Sequence, residues 1–312
     1  MAVERALDRL PAAARRRVAW RDNERALNVL MIGPAILYIV LLVAVPFFLA
    51  LYYSVSGVTL GNRQLNFVGL RNFAAVLGTV QFDTALKNTF VFAIISQIIV
   101  GILATALGLA LERDFRGKSV VRFLILLPWV APISLGTIAW LWMLDSIYSV
   151  VNWTLRAIGV FGPNTWPMWL GVPHLAMASV IMVHVWRQLP LATIILLAGL
   201  ASIPREIHDA AQVDGARFWR HLLEITLPLL TPIMTIAILF GIVFTFTDMI
   251  VIYVLTRGGP YDTTQVLASL AFFTGVNAGD LGQGAAISIF LFPVLVAAAA
   301  LFLRFARRAE VT

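Results

Sequence analysis

The sequence predicts an all-α integral membrane protein with six transmembrane helices. Three observations carry that expectation. Hydrophobic residues make up 60% of the 312 positions. Charged residues make up 12%, about half the usual share of a soluble domain. The apolar positions also fall into runs of about 20 residues or more, long enough to cross a hydrocarbon core of about 30 Å at about 1.5 Å per residue.

Six such runs are present, at 29–53, 86–111, 120–143, 173–200, 229–255 and 284–304. The first exceeds the roughly 7–15 apolar residues of a cleaved signal peptide and lacks a small-residue cleavage site, so it is expected to remain as a helix. The tails and alternate connections on one side hold 17 Lys and Arg, the other side holds 5, and Arg187 falls inside a run. The positive-inside rule then puts both termini and the 203–228 connection in the cytoplasm of a multi-pass protein of the cell membrane. The expected divisions are a tail over 1–28, a first helix with an external connector over 29–82, a membrane core over 83–304, and a tail over 305–312.

Several function classes fall away at this level. The chain has no cysteine, which removes disulfide frameworks and thiolate metal sites, and its four histidines are too dispersed for a zinc site. The net charge of +7 comes from basic residues beside membrane runs, and no basic-aromatic module points to nucleic acid. Gly117-Lys118-Ser119 resembles the end of a P-loop, but Glu112 stands where the motif needs its first glycine. The chain is therefore expected to bind neither ATP nor any other cofactor itself.

Taken in order, the first run ends near Tyr52 and Tyr53, which suit a membrane interface. The connector then carries FVGLRNF over 67–73, read as a loop that returns to the membrane with apolar anchors in a surface-lying connector. In the second run, Gly101, Ala104, Thr105 and Gly108 form a small-residue stripe for close helix packing. The third run holds Pro128 and Pro132, which remove two helix hydrogen bonds and predict a kink, either lining a pathway or simply architectural. Trp140, Trp142, Trp153, Trp166 and Trp169 suit an aromatic belt, or stacking on sugar rings. An Asn152-Trp153-Thr154 sequon is too short a match to weigh.

The fourth run contains His184, Arg187 and Gln188. An ionisable group inside a span is costly, so Arg187 either lines a cavity or pairs with an acid such as Asp248 in the fifth run. A membrane enzyme would need convergent polar groups within the spans, and His184, Arg187 and Asp248 are the ones that qualify. A secondary carrier would need coupling acids and repeat symmetry, which the sequence does not display.

The interval Ile203–Pro228 is the longest polar stretch between two apolar runs. Pro204 is placed in a first helical turn, Glu206 follows in that turn, and Gly215 predicts a bend between two short helices. Asp209-Ala210-Ala211, three residues, Gly215, nine residues, then Ile225-Thr226-Leu227-Pro228 resembles the EAA loop of binding-protein-dependent ABC importer permeases. Asp209 departs from that pattern by replacing Glu. A second stretch, Asp248 to Pro260 with Leu255-Thr256-Arg257-Gly258-Gly259-Pro260, is similar to carbohydrate-uptake permeases of the maltose and glycerol-3-phosphate type. Those commonly carry glycine where this chain has Arg257.

The resemblance covers about residues 83–303 and implies a type I ABC importer permease fold with a coupling helix. It implies that Glu206, Asp209, Ala210, Ala211, Asp214 and Gly215 dock a separate cytoplasmic ATPase dimer, whose chains bind ATP and Mg. It also implies a second homologous permease, making a heterodimer, and an extracytoplasmic solute-binding protein. The expected cargo is a sugar or sugar derivative, or another solute such as a glycerophosphate. Asp248, Arg187, Trp140 and Tyr253 are the candidate substrate-pathway residues.

Overall fold

The computed structural model describes residues 24–162 and 165–309. The described residues contain helices and no strand beyond one isolated bridge, Ser56 to Phe67. Most of the expected tail over 1–28 lies outside them. The chain divides into two units, Met1–Tyr53 and Ser54–Thr312.

The first unit holds helix α1, which runs over Glu24–Ile39, a π turn Val40–Ala44, and Val45–Ser54. The π turn has a local cause. Pro46 would clash with the carbonyl of Leu42 in a regular helix, and Leu42 lies within the widened turn.

In the second unit, α2 (Arg71–Leu77) leads into α3 (Val80–Glu112), a 33-residue helix capped by the Thr79 hydroxyl. Next come α4 (Lys118–Val130), α5 (Ile133–Met143) and α6 (Val150–Ala157). α7 (Pro173–Ala201) is followed by the short α8 (Arg205–Val213). α9 spans Phe218–Thr247 and includes a π turn at His221–Thr226. The remaining helices are α10 (Ile250–Leu255), α11 (Leu267–Phe272, extended by a π turn Phe273–Asn277), α12 (Leu281–Ile289) and α13 (Phe292–Ala309). Among the described residues, five helical stretches are long and apolar enough to cross a membrane, and six when the bent α4–α5 pair counts as one.

Three of the expected elements need correction. The third run bends where a kink is expected but breaks into two helices, α4 and α5, which meet at 97°. Pro132 cannot continue the helix and disfavours helical geometry at Ala131, which is extended at ψ 140°. The fifth run was expected over 229–255. Its helix instead begins at Phe218 and stops at Thr247, Asp248 ends it, and a separate helix starts at Ile250. Pro204 precedes α8 as its N-cap and does not occupy the first turn.

α7 is the centre of the second unit. In its most apolar stretch 56% of residues are buried, against 33% or less in the other spans, so it is the helix around which they pack. α3 and α9 lie along it. Phe92, Ala104, Val180, Leu196, Leu200 and Leu230 form the core between them. The small-residue stripe on α3 splits in two. Ala104 and Gly108 press against α7, where a side chain at 108 would meet Leu196 and Leu200. Gly101 has no neighbour close to its missing side chain and borders a cavity of about 830 Å³ between α3 and α9.

The connector after α1 is fixed by side-chain to backbone bonds. The FVGLRNF segment, expected as a loop, enters α2 at Arg71, and its Asn72 Nδ2 donates to the carbonyls of Ser54 and Ser56, each at 2.9 Å. The sequon asparagine also has a structural role. Asn152 is buried, accepts from Trp169 Nε1 at 2.8 Å and donates to the Pro167 carbonyl at 3.3 Å. Trp142 and Trp153 are exposed as an aromatic belt requires, whereas Trp166 stacks beneath the Arg156 guanidinium at 5.1 Å.

Candidate functional site

Two groups of residues can do work in this fold. The first is the polar interval after α7. Helix α8 has an amphipathic pattern, with Ile207, His208 and Ala211 turned toward the protein and Glu206, Asp209, Ala210 and Val213 turned out. Of the six residues expected to dock a partner, five are exposed and Ala211 is buried at 5%. The chain leaves α8 through Gly215 at φ +72°, a left-handed conformation that glycine adopts without steric cost. Its N–H bonds the Gln212 carbonyl, and Ala216 N–H bonds the Ala211 carbonyl, which closes the helix and reverses the chain into α9. Val213, Phe218 and Trp219 stand 87%, 56% and 69% exposed beside this turn, an apolar rim next to the acidic face.

The turn that resembled a P-loop is an ordinary short connection. Gly117 sits at φ +87° and Lys118 Nζ is engaged by Asp114 Oδ1 at 3.0 Å and the Glu112 carbonyl at 3.1 Å. That ammonium, with its hydrogen bond, holds the Asp114 carboxyl below its usual range.

The second group lies between α3, α7 and α9. His184 Nδ1 is 2.8 Å from Asp248 Oδ2, and His184 Nε2 is 2.9 Å from Thr245 Oγ1. Arg187 Nη1 donates to the same Asp248 oxygen at 3.1 Å. The other carboxylate oxygen accepts the Ile250 and Val251 N–H groups at 3.0 and 3.3 Å, and so starts α10. Gln97 Nε2 donates to Thr245 Oγ1 at 2.8 Å and to Gln188 Oε1 at 3.2 Å. This network explains why the fifth span breaks where it does. A carboxylate in an apolar run is expensive, and it is stabilised here by one cation, one imidazole and two backbone donors.

Arg187 also reaches the other broken element. Its guanidinium lies 5.9 Å from the Trp129 ring, and Trp129 meets Phe244 edge to face at 5.7 Å. Trp129 is two residues before the bend at Ala131, and Asp248 is the break between α9 and α10. One arginine on the central helix therefore touches both interruptions. α5 and α10, the helices that follow the two breaks, pack on each other.

The candidate pathway residues separate on this geometry. Arg187 and Asp248 are brought together. Trp140 stands apart, edge to face with Trp186 at 5.6 Å, beside a cavity of about 340 Å³ that Trp169 also lines. Tyr253 sits in an aromatic group with Phe272 and Phe273. Asp248 is buried to 3% of its side chain while Arg187 keeps 22% exposure, so the arginine is the member of the pair that can meet a solute. Gln97 and Thr245 were missed from the sequence. Gln97 carried a readable signal as a lone amide in the run IISQIIV.

The order Asp248–His184–Thr245 also has the form of an acyl-transfer triad. Thr245 makes a poor nucleophile here, because it is 1% exposed and its hydroxyl donates to the Gly241 carbonyl at 2.7 Å. The cluster instead locks three spans together.

Comparison with known proteins decides the family. Residues 97–311 match the model of the binding-protein-dependent transport system inner membrane component. The chain belongs to that family. The permease is 33% identical to the trehalose/maltose transport system permease protein MalF of Thermococcus litoralis, over 91% of this chain and 95% of that one. It is 30% identical to the sn-glycerol-3-phosphate transport system permease protein UgpA of Agrobacterium fabrum, over 91% and 96%. In fold it is similar to a chain of the bacterial alginate ABC transporter crystallised with an alginate pentasaccharide-bound periplasmic protein. That match has a TM-score of 0.78 at 21% identity, covering 93% of this chain and 97% of that one. The permease is thus a multi-pass membrane subunit of an ABC importer, with the type I fold. Among its described residues no group of three or more His, Cys, Asp or Glu could hold a metal ion.

Proposed function

We propose that this permease carries a sugar or sugar derivative inward across the cytoplasmic membrane, driven by a separate ATPase dimer that grips α8. The observation that carries the proposal is α8 itself, a helix whose acidic face and apolar rim are exposed and whose exit is fixed by a left-handed glycine. In this reading ATP and Mg bind on the partner chains. Closure of the ATPase pair displaces α8, and the turn at Gly215 passes that displacement into α9. Both termini and α8 face the cytoplasm, as the distribution of basic residues supports. A second, homologous permease completes the membrane part, and an extracytoplasmic binding protein delivers the solute.

The two broken spans around Arg187 support a pathway at that level, since irregular backbone at membrane depth is tolerated where it lines a cavity or lies buried in protein. Arg187 and Trp129 present a cation and a flat ring, which suit a hydroxyl-rich or anionic solute. The exposed guanidinium edge favours keeping glycerophosphate-type solutes in the test set. The test measures ATP hydrolysis by the assembled importer in lipid nanodiscs, with its binding protein and a panel of disaccharides, monosaccharides and glycerophosphodiesters. Stimulation by a disaccharide or other sugar is expected. Stimulation by none of the sugars, with hydrolysis rising for a non-sugar solute, would replace the carbohydrate reading.

A further inference from the structure

We propose that His208 and His221 form a joint that makes α8 and the start of α9 move as one body. His208 Nδ1 lies 3.0 Å from His221 Nε2, and the rings are 4.9 Å apart at 33°. His208 belongs to the inward face of α8, and His221 begins the π turn of α9. The contact therefore bridges the bend at Gly215, across 13 residues of chain. His221 Nδ1 continues the line to Thr226 Oγ1 at 3.3 Å, and Thr226 is 2% exposed. One line of polar atoms thus runs from the docking helix to the end of the π turn.

The π turn explains why such a joint is needed. Pro228 in a regular helix would clash with the Glu224 carbonyl, and Glu224 lies inside the widened turn 221–226. The π turn interrupts the regular helical ladder at the span entry, a place where helices kink. The backbone joins α8 to α9 through Gly215, where the space beside the missing Cβ is open. A push on α8 that travelled only through the glycine would be partly absorbed there and at the π turn, so a second connection makes the transmission firmer. The histidine pair supplies one.

The proton arrangement fits a fixed joint. If His208 Nδ1–H donates to His221 Nε2, then His221 Nδ1–H donates to Thr226, and His208 Nε2 is left as an acceptor. That atom is buried and has no hydrogen-bond partner, and an orphaned acceptor is better tolerated than an orphaned N–H. The two histidines border a cavity of about 160 Å³ that Glu112, at the end of α3, and the adjoining Arg113 also line, together with Phe218 and Leu222. His208 and His221 are positioning residues in this scheme and touch no substrate.

This inference rests on the reading of α8 as the ATPase-docking helix, and the experiment separates the two. The chain has no native cysteine, so Gln212→Cys on α8 and Leu229→Cys on α9 give a unique pair of spin labels. Their distance is measured by double electron–electron resonance in nanodiscs, first on the permease alone and then on the importer assembled with cysteine-free ATPase chains, with and without ATP. With the joint intact, one narrow distance is expected, and ATP leaves it unchanged because both labels move together. His208→Ala and His221→Ala are expected to add a second distance, since losing one ordinary hydrogen bond shifts a two-state equilibrium by about fivefold. ATP then changes the proportions. His208→Gln, whose amide can donate or accept, is expected to restore the single distance. A distance as narrow and as ATP-insensitive in His208→Ala as in the parent would overturn the joint. Failure of the ATPase to co-purify with the parent permease would instead overturn the docking reading, and the measurement on the permease alone would still decide the joint.

Discussion

Replacing Asp248 by alanine gives the sharpest test of the central network. The substitution removes a carboxylate that is 3% exposed and bonded to His184, Arg187 and two backbone N–H groups. Three losses follow. The cap of α10 disappears, at about 1 kcal/mol. The buried His184 nitrogen loses its acceptor, and Arg187 keeps its charge without a partner. Removing one member of a buried ion pair costs about 3–5 kcal/mol in total, and the cap is part of that sum. Arg187 can turn its 22% exposed head toward water, which favours the lower half of the range. Asp248→Asn keeps an oxygen for the cap and should lose only about 1–3 kcal/mol. The assay is a denaturant titration in lipid nanodiscs followed by the fluorescence of the nine tryptophans, of which Trp129 lies beside the arginine. A loss below about 1 kcal/mol for the alanine variant, with the fluorescence unchanged, would falsify the network as an interlock.

Three further substitutions probe other links. Gly215→Val forces a β-branched residue to φ +72°, a strain of about 1–2 kcal/mol or more at the turn. Membrane insertion should persist while uptake is abolished, and normal uptake in vesicles would refute the role of the turn. Gly241→Ala places a methyl group against the side-chain amides of Gln97 and Gln188, at an overpacking cost of about 1–3 kcal/mol in the same titration; a neutral result would mean that those amides can move aside. Arg257→Gly relieves a left-handed residue at φ +52°, and the gain after allowing for glycine's unfolded-state entropy is about 0.5–1 kcal/mol. A destabilised variant would indicate that the arginine side chain contributes more than its backbone costs.

Much of this architecture is legible in the sequence, and the failures have physical causes. Long apolar runs find α1, α3, α7 and α9 because lipid exposure is a property of composition. The 97° bend between α4 and α5 is announced by Pro128 and Pro132, but its size depends on where α7 and α10 hold the two halves. The break at Asp248 is hidden because one charge barely lowers the average hydropathy of the run 229–255. It becomes visible only once the carboxylate is seen capping the next helix. The pairing of Arg187 with Asp248 was one of two readings that the sequence allowed, since polar groups in spans must find partners. Gln97 and Thr245 join the same cluster from other helices, which no spacing along one helix reveals. The α8 turn was readable through Gly215, whereas the His208–His221 contact was not, because it depends on the direction in which the chain reverses.

The length of α3 sets one more condition on the molecule. Its 33 residues extend about 50 Å, some 20 Å more than the usual hydrocarbon thickness. A helix of that length must tilt or protrude, and bilayer thickness alters the balance between the two. The end of α3 at Glu112 lies beside the His208–His221 contact. Acyl-chain length in the surrounding lipid is therefore mechanically connected to the seat of α8. The bilayer becomes a silent participant in how firmly the permease holds α8.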